Sequence, residues 1–495
     1  MIVGSPGEDH GDPFAIKYLD AYYLYHSGET AGRRGISVHR SEDLISWEFS
    51  GYALEPGEEG WAWSDLWAPE VVYERGVFYM YVSATRRRRD ATPQKPWDWG
   101  GPGDENSRRL GLARATSPLG PFTLDPEPLV GGWSIDGHPF RDDDGTLWLF
   151  YNVRTADLGL EGALPGTAIV CDRLLAPDRL AGAPTLVTAP TDPWEGNARG
   201  DWYWNEGPFV LKRRRRYYQL FSGGAFYDAS YATGLAEART LRGPWQKDVQ
   251  NPVLHSTEEI HGPGHVSFVF GPDSATRYAL YHGYVDGDPG RKVMLDRLLW
   301  AGDRPVIAGP TSSEQLVPSE PRHDAAVQHW RAEAWVRGGS VDVGGARFEL
   351  DPPDVWHQIE VVQADGRHSV RVGGVLRASR PGIQAADGLV TTDGELGPLT
   401  LASCLQDEQA QDLPSGSSYV WSWGGSGRIE VTLAIRGTIE LAFDERKHVL
   451  EGEPTGFRLV RLNYMGSAEQ IMATSLGEGA TVADLSVYAR AADAG

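Results

Sequence analysis

Short runs in which apolar and aromatic residues alternate with polar ones fill the first 318 positions, and each run stops at a turn signal. "FYMYV", "LWLFY" and "YYQLF" carry the period of a β-strand, and "ERG" and "DDDG" sit where hairpin turns belong. Almost no helical periodicity occurs before Ser319. Five stretches share one pattern: a polar or acidic head, a strand, a tight turn, an aromatic strand and a third strand. Their heads are "GDPF" at Gly11, "WAPE" at Trp67, "IDGHPF" at Ile135, "EGPF" at Glu206 and "GHVSF" at Gly264. They recur roughly every 55–70 residues, longer than most single-blade repeats.

Strand groups repeated in this way bury their edges by closing radially, so the pattern predicts an all-β, five-bladed propeller over residues 1–318. The first strand of each blade lines the central channel, and equivalent positions converge on one axis. Asp12, Asp136 and Glu206, far apart in sequence, would then meet at one end of that channel. The Gly or Pro beside each breaks the ladder and directs the chain.

"GPTSSEQLVPSEPRHD" at 309–324 reads as a linker. Beyond it, "HQIEVVQADGRHSVRVGGVLRAS" is a hairpin pattern, and "GRIEVTLAIRGTIELAFD" and "FRLVRLNY" continue as strands. These predict a C-terminal β-sandwich over 319–495, divisible into two small units near Pro381–Gly394. It would pack on the propeller, close its pocket or bind carbohydrate. Trp330, Trp335, Trp356, Trp421 and Trp423 are candidates for any of these.

Composition narrows the function. Sixty Gly and 33 Pro, about a fifth of 495 residues, suit many turns. A net charge of −22 argues against a nucleic-acid partner. The run Arg213–Arg216 falls at a hairpin turn, and Arg86–Arg89 opens a long polar insert. Two distant cysteines, Cys171 and Cys404, support neither a disulfide framework nor a thiolate zinc site. The start lacks the basic and apolar segments of a leader, and no apolar run approaches a membrane span. The expectation is a soluble protein without a membrane partner, cytoplasmic, or secreted if a leader has been removed.

Three carboxylates at one channel mouth can hydrolyse a glycosidic bond. A protonated one donates to the leaving oxygen, and an ionised one activates water or attacks carbon. A third can hold the acid and raise its pKa. Asp142–Asp144 also lie near, but they precede Gly145 and read as a turn.

The words "GDPF", "WAPEV", "IDGHPF", "NEGPF", "GPGHVSF" and "GRKVMLDRLLW" occur in order, and residues from about Asp9 to Pro318 resemble glycoside hydrolase family 43. These are the five-bladed propeller enzymes of the β-xylosidase and α-L-arabinofuranosidase group. The resemblance implies that Asp12 is the general base, Glu206 the general acid and Asp136 the residue that orients the acid and tunes its pKa. It implies that Arg291 contacts the sugar and the tuning carboxylate. It also implies that His265 lies near the axis, facing the substrate and helping to hold a structural calcium in the channel, largely through water. One imidazole is little by itself for a hard cation that prefers oxygen, and no cofactor is required. "IDGHP" departs from the "IDP" common in relatives by two inserted residues. The family inverts configuration, which requires base and acid roughly 6.5–9.5 Å apart.

Sugar binding needs aromatic faces. Trp67 is the preferred platform because a head residue faces the channel; Trp63 is an alternative, as are Trp194, Trp202 and Trp204, which read almost equally as blade core. The insert between Thr85 and Leu110 reads as a pocket wall, which favours release of single sugars from the ends of an oligosaccharide or polysaccharide. The expected activity is that of an exo-acting, inverting glycosidase releasing a pentose. Other readings are a related propeller glycosidase acting on galactosides or fructosides, the latter with retention through an Asp nucleophile, and a non-catalytic glycan-binding propeller.

Overall fold

The computed structural model describes residues 2–3, 8–30, 33–56, 61–62, 64–85, 108–301, 304–311, 329–364, 367–381, 389–407, 411–444, 446–452, 458–476 and 479–490. The insert 86–107, Trp63 and most of the linker lie outside them. Strands dominate, and helical structure among the described residues is limited to two 3₁₀ turns, Thr155–Leu158 and Pro193–Glu195. Among the described residues no helix is long and apolar enough to cross a membrane.

The first unit comprises Met1–Val269, Tyr278–Arg297 and Ile307–Gln315. Five antiparallel sheets follow one another along the chain as the blades of a propeller. Their first strands are Asp9–Tyr18, Ser64–Glu74, Ile135–Arg141, Glu206–Arg213 and Ile260–Phe270. Each pairs with the aromatic strand expected after it; Tyr25, Tyr81, Phe150, Phe221 and Tyr281 are buried in those second strands. Blade 5 is completed from the other end of the chain: Ile2–Val3 pair antiparallel with Val293–Met294. That pairing joins the first and last blades.

The two suspected turns are turns. Arg213 pairs with Arg216 across a hairpin whose Arg214 has φ 56°. Asp142 accepts from Lys212 and from Tyr217 Oη at 2.7 Å, and Asp144 caps Thr146. These carboxylates serve the blade edge.

In blades 1 to 4 the pairing of the first and second strands shifts at the head, between Gly11 and Phe14, Trp67 and Glu70, Ile135 and His138, and Glu206 and Phe209. At each head one residue has left-handed backbone: Asp12 (φ 53°), Ala68 (45°), Asp136 (56°), Gly207 (55°) and, in blade 5, His265 (53°). Such a bulge turns the side chain out of the ladder and leaves backbone N–H groups in need of partners. The partners come from the end of the second strand of the preceding blade. Ser27 Oγ accepts from Ala68 N–H (2.8 Å), Ser83 Oγ from Asp136 N–H (2.8 Å) and Ser222 Oγ from His265 N–H (2.8 Å). Asn152, at the same place in blade 3, instead donates to the Asn205 carbonyl. His282 Nδ1 accepts from Asp12 N–H at 3.1 Å and completes the circle.

Ser27→Ala tests one such link. It strips a buried N–H of its acceptor and should cost roughly 1–3 kcal/mol in urea unfolding. A loss within error of zero would show that the bond does not stabilise the ring.

The second unit comprises Phe270–Arg277, Leu298–Val306 and Leu316–Gly495. It contains an eleven-stranded sheet and a three-stranded sheet. Two hydrophobic clusters fill it, one from Trp330 to Val390 and one from Leu413 to Val487. Trp330, Trp335, Trp421 and Trp423 are buried, so they serve packing; Trp356 carries Arg337 over its ring at 5.0 Å.

Candidate active site

The head bulges bring Asp12, Asp136, Glu206 and His265 together, and Arg291 joins the network from the loop before Lys292–Ala301, all within the first unit. All three carboxylates are buried, Glu206 at 6% exposure.

Asp12 accepts from two side chains. Ser27 Oγ donates to its Oδ2 at 2.6 Å, and Arg291 donates through Nη1 to its Oδ1 at 3.2 Å. The Nδ1 atoms of His265 and His282 each lie 3.4 Å from Oδ1. Burial alone would raise the Asp12 pKa; the Arg291 charge and then His265 outweigh it and hold the carboxyl well below the usual range. Burial pushes His282 down to about 4, which suits a neutral ring whose Nδ1 accepts the Asp12 N–H.

Glu206 has the opposite environment. Burial raises its pKa well above the ordinary value, the nearby Asp136 charge raises it further, and Tyr231 and Arg108 offset this only in part. Tyr231 Oη donates to Glu206 Oε1 at 2.9 Å and stacks on His282, with ring centroids 5.3 Å apart.

Asp136 Oδ2 accepts the N–H of Gly207, the residue after Glu206, at 3.1 Å. Burial raises Asp136 to about 6, with His265 and the Gly207 N–H pulling the other way. Of this pair Glu206 keeps the proton, because Asp136 as an anion is stabilised by a backbone donor. A side chain at Gly207 would put a Cβ 3.0 Å from His265 Nδ1 at left-handed φ, so glycine is needed for the approach.

Arg291 departs from expectation. Its guanidinium is committed to Asp12 and, through Nε and Nη2 at 2.9 Å each, to Asp9, rather than to the tuning carboxylate Asp136. The cause is the joint between blades 5 and 1. His10 N–H bonds the Arg291 carbonyl at 2.9 Å, and a Cβ on Gly11 would fall 2.0 Å from Arg291 Cζ. Burial raises Asp9, but the paired guanidinium overcomes this and brings it to about 2.

Trp67 sits at the bulge of blade 2, half-buried, with Arg108 over its ring at 4.9 Å; Arg108 is one of the charges acting on Glu206. Trp67 is thus tied to the acid's surroundings. Trp204 is fully buried and Trp194 packs near Phe221, so both belong to the blade. For a metal, His265 and Asp12 offer two ligand atoms, and no third His, Cys, Asp or Glu among the described residues joins them within one coordination sphere. An ion there would have to be held largely by water, as the resemblance implies.

Sequence reading missed Ser27, His282, Tyr231 and a buried strut across three blades. In that strut His138 Nδ1 lies 2.7 Å from Glu70 Oε2, and its Nε2 accepts from Val210 N–H at 3.0 Å. The two extra residues of "IDGHP" supply it. The missed signal was the shared ending of the second strands, "YHSG", "YVSA", "LFSG" and "LYHG".

Keeping Asp136 buried has a cost that can be measured. Its folded pKa, about 6, lies above the unfolded 3.8, so its favourable contribution is present below pH 3.8 and is lost as pH rises through 6. Asp136→Asn should therefore be more stable than the native protein at pH 7.5, by roughly 1–3 kcal/mol, with the gain shrinking towards pH 4. Thermal unfolding across that range checks it; a pH-independent difference would contradict the assignment.

The chain matches glycosyl hydrolases family 43 over residues 7–305. It is 23% identical over 376 residues to an extracellular exo-α-(1→5)-L-arabinofuranosidase of Streptomyces avermitilis, covering 69% of this chain and 71% of that one. It is 26% identical over 345 residues to a xylan 1,3-β-xylosidase of a Vibrio species, covering 63% and 58%. The crystal structure of a thermostable family-43 glycoside hydrolase superposes with a TM-score of 0.54 at 34% identity, covering 65% of this chain and 98% of that one.

Proposed function

The chain belongs to glycosyl hydrolase family 43, and we propose that it is an exo-acting, inverting glycosidase that releases a pentose from an oligosaccharide or polysaccharide. Asp12 is the general base and Glu206 the general acid. One observation carries this reading: in one buried network Asp12 accepts from Arg291 and Ser27, which favours its anion, while Glu206 accepts from Tyr231 and stands beside the Asp136 carboxylate, which favours its proton.

Glu206 protonates the departing oxygen, and Asp12, favoured as the anion by Arg291, takes the proton of the attacking water. Arg291 and Ser27 hold Asp12 in place, at some expense of its basicity. Asp136 fixes the backbone beside Glu206, and its charge helps Glu206 to keep its proton. Trp67 offers a sugar-facing ring. No step passes through a metal.

Arabinofuranoside is the favoured substrate over xyloside. The relatives named for arabinofuranosidase and xylosidase activity support a pentose, and no residue of this chain separates the two. A panel of 4-nitrophenyl α-L-arabinofuranoside, β-D-xylopyranoside and β-D-galactoside tests it. The arabinofuranoside should be cleaved fastest. Faster xyloside or galactoside cleavage would overturn the sugar choice, and cleavage of none would overturn the activity.

A further inference from the structure

We propose that His10, His26 and His39 form a binding site for a divalent transition-metal ion of the zinc class inside blade 1. The three histidines come from three neighbouring strands, Asp9–Tyr18, Ala21–Thr30 and Ile36–Ser41. His10 lies opposite Gly28, His26 opposite Ser37 and His39 opposite Leu24. All three are buried, and each offers a nitrogen within 4.8 Å of the other two. Zinc–imidazole bonds of about 2.0–2.1 Å place tetrahedral ligand nitrogens about 3.3 Å apart. The His26 and His39 Nε2 atoms, a hydrogen-bonded pair 3.0 Å apart, approach that spacing, and an ion would replace the shared proton.

Three details separate this cluster from an ordinary set of core histidines. His10 Nδ1 is fully buried and has no hydrogen-bond partner, a state that normally costs free energy. His26 Nδ1 lies 2.9 Å from the Ser27 carbonyl; donating there leaves the Nε2 lone pair directed at the cluster, the orientation typical of a metal-bound imidazole. Glu8 Oε2 lies 3.4 Å from His10 Nε2 and supplies an oxygen donor at the edge. A set of imidazoles suits zinc, cobalt, nickel or copper rather than calcium or magnesium. His39 is the most exposed of the three, at 6%, and its ring packs 5.3 Å from the 40%-exposed Phe49.

The position gives the ion a structural role behind the base. His10 is two residues before Asp12, and His26 directly precedes Ser27, which bonds Asp12. A metal bridging the two strands would clamp the Gly11–Asp12 bulge without touching sugar.

The test uses the full-length protein, stripped with EDTA, desalted and titrated with cobalt chloride. One cobalt per chain should bind with the visible bands of a four-coordinate ion and be displaced by zinc. Zinc should also raise the melting temperature of the stripped protein by roughly several degrees. His39→Gln should lose the bands, and His265→Gln should keep them. Absence of the bands in the native protein overturns the proposal. So does their survival in His39→Gln, or their loss in His265→Gln alone, which would place the ion in the channel. Should His39→Gln fail to fold by circular dichroism, the native protein decides: a melting temperature insensitive to EDTA and zinc overturns the site.

Discussion

Asp12→Ala should lower kcat by a factor on the order of 10²–10⁴ on every substrate, whatever its leaving group. The base removes a proton from water, and that demand does not depend on what departs. The same carboxylate anchors Ser27 and Arg291, and the loss would leave the Arg291 charge paired with Asp9 alone. A fall in stability is therefore expected beside the fall in rate, and activity must be normalised to folded protein. Asp12→Asn separates the two effects, since it keeps the shape and can still accept from Ser27 while losing the charge. Equal activity of Asp12→Asn and native protein would remove Asp12 from the chemistry.

Glu206→Ala should behave differently. A poor leaving group such as a sugar hydroxyl needs the proton that Glu206 donates, whereas a nitrophenolate leaves with little help. The variant should lose a factor on the order of 10²–10⁴ on a natural disaccharide and much less on an activated aryl glycoside. Rate should also cease to fall with rising pH in the range where native Glu206 loses its proton, a range lifted by burial and by Asp136. Equal losses on both substrates would contradict the acid role. Glu206→Gln gives the same contrast while retaining the bond from Tyr231.

Much of this arrangement is legible in the sequence, for a physical reason. A propeller repeats one local problem five times: a strand must break its ladder at the channel, and the break needs Gly, Pro or a residue tolerating left-handed backbone. Those residues mark Asp12, Ala68, Asp136, Gly207 and His265 in the order in which they meet around the axis. Local chemistry says less about partners. Arg291 follows "DPG" in a plain loop, and its choice of Asp9 and Asp12 depends on the joint between blades 5 and 1, two segments nearly 280 residues apart. Tyr231 and His282 meet for a similar reason. The histidine cluster was hidden by spacing: positions 10, 26 and 39 form no recognisable metal motif, yet three adjacent strands place them side by side. Tryptophans are ambiguous in sequence. Trp204, beside the acid, reads equally as a sugar platform or as blade core, and burial in the fold decides for the core.

The most direct measurement is the anomeric form of the first sugar released, followed by proton NMR in the opening minutes of hydrolysis, before mutarotation. With Asp12 activating water against a bond protonated by Glu206, the fresh product should carry the configuration opposite to that of the glycoside. A first product of retained configuration would mean that a carboxylate attacks carbon, and the assignment of Asp12 as a base would be wrong.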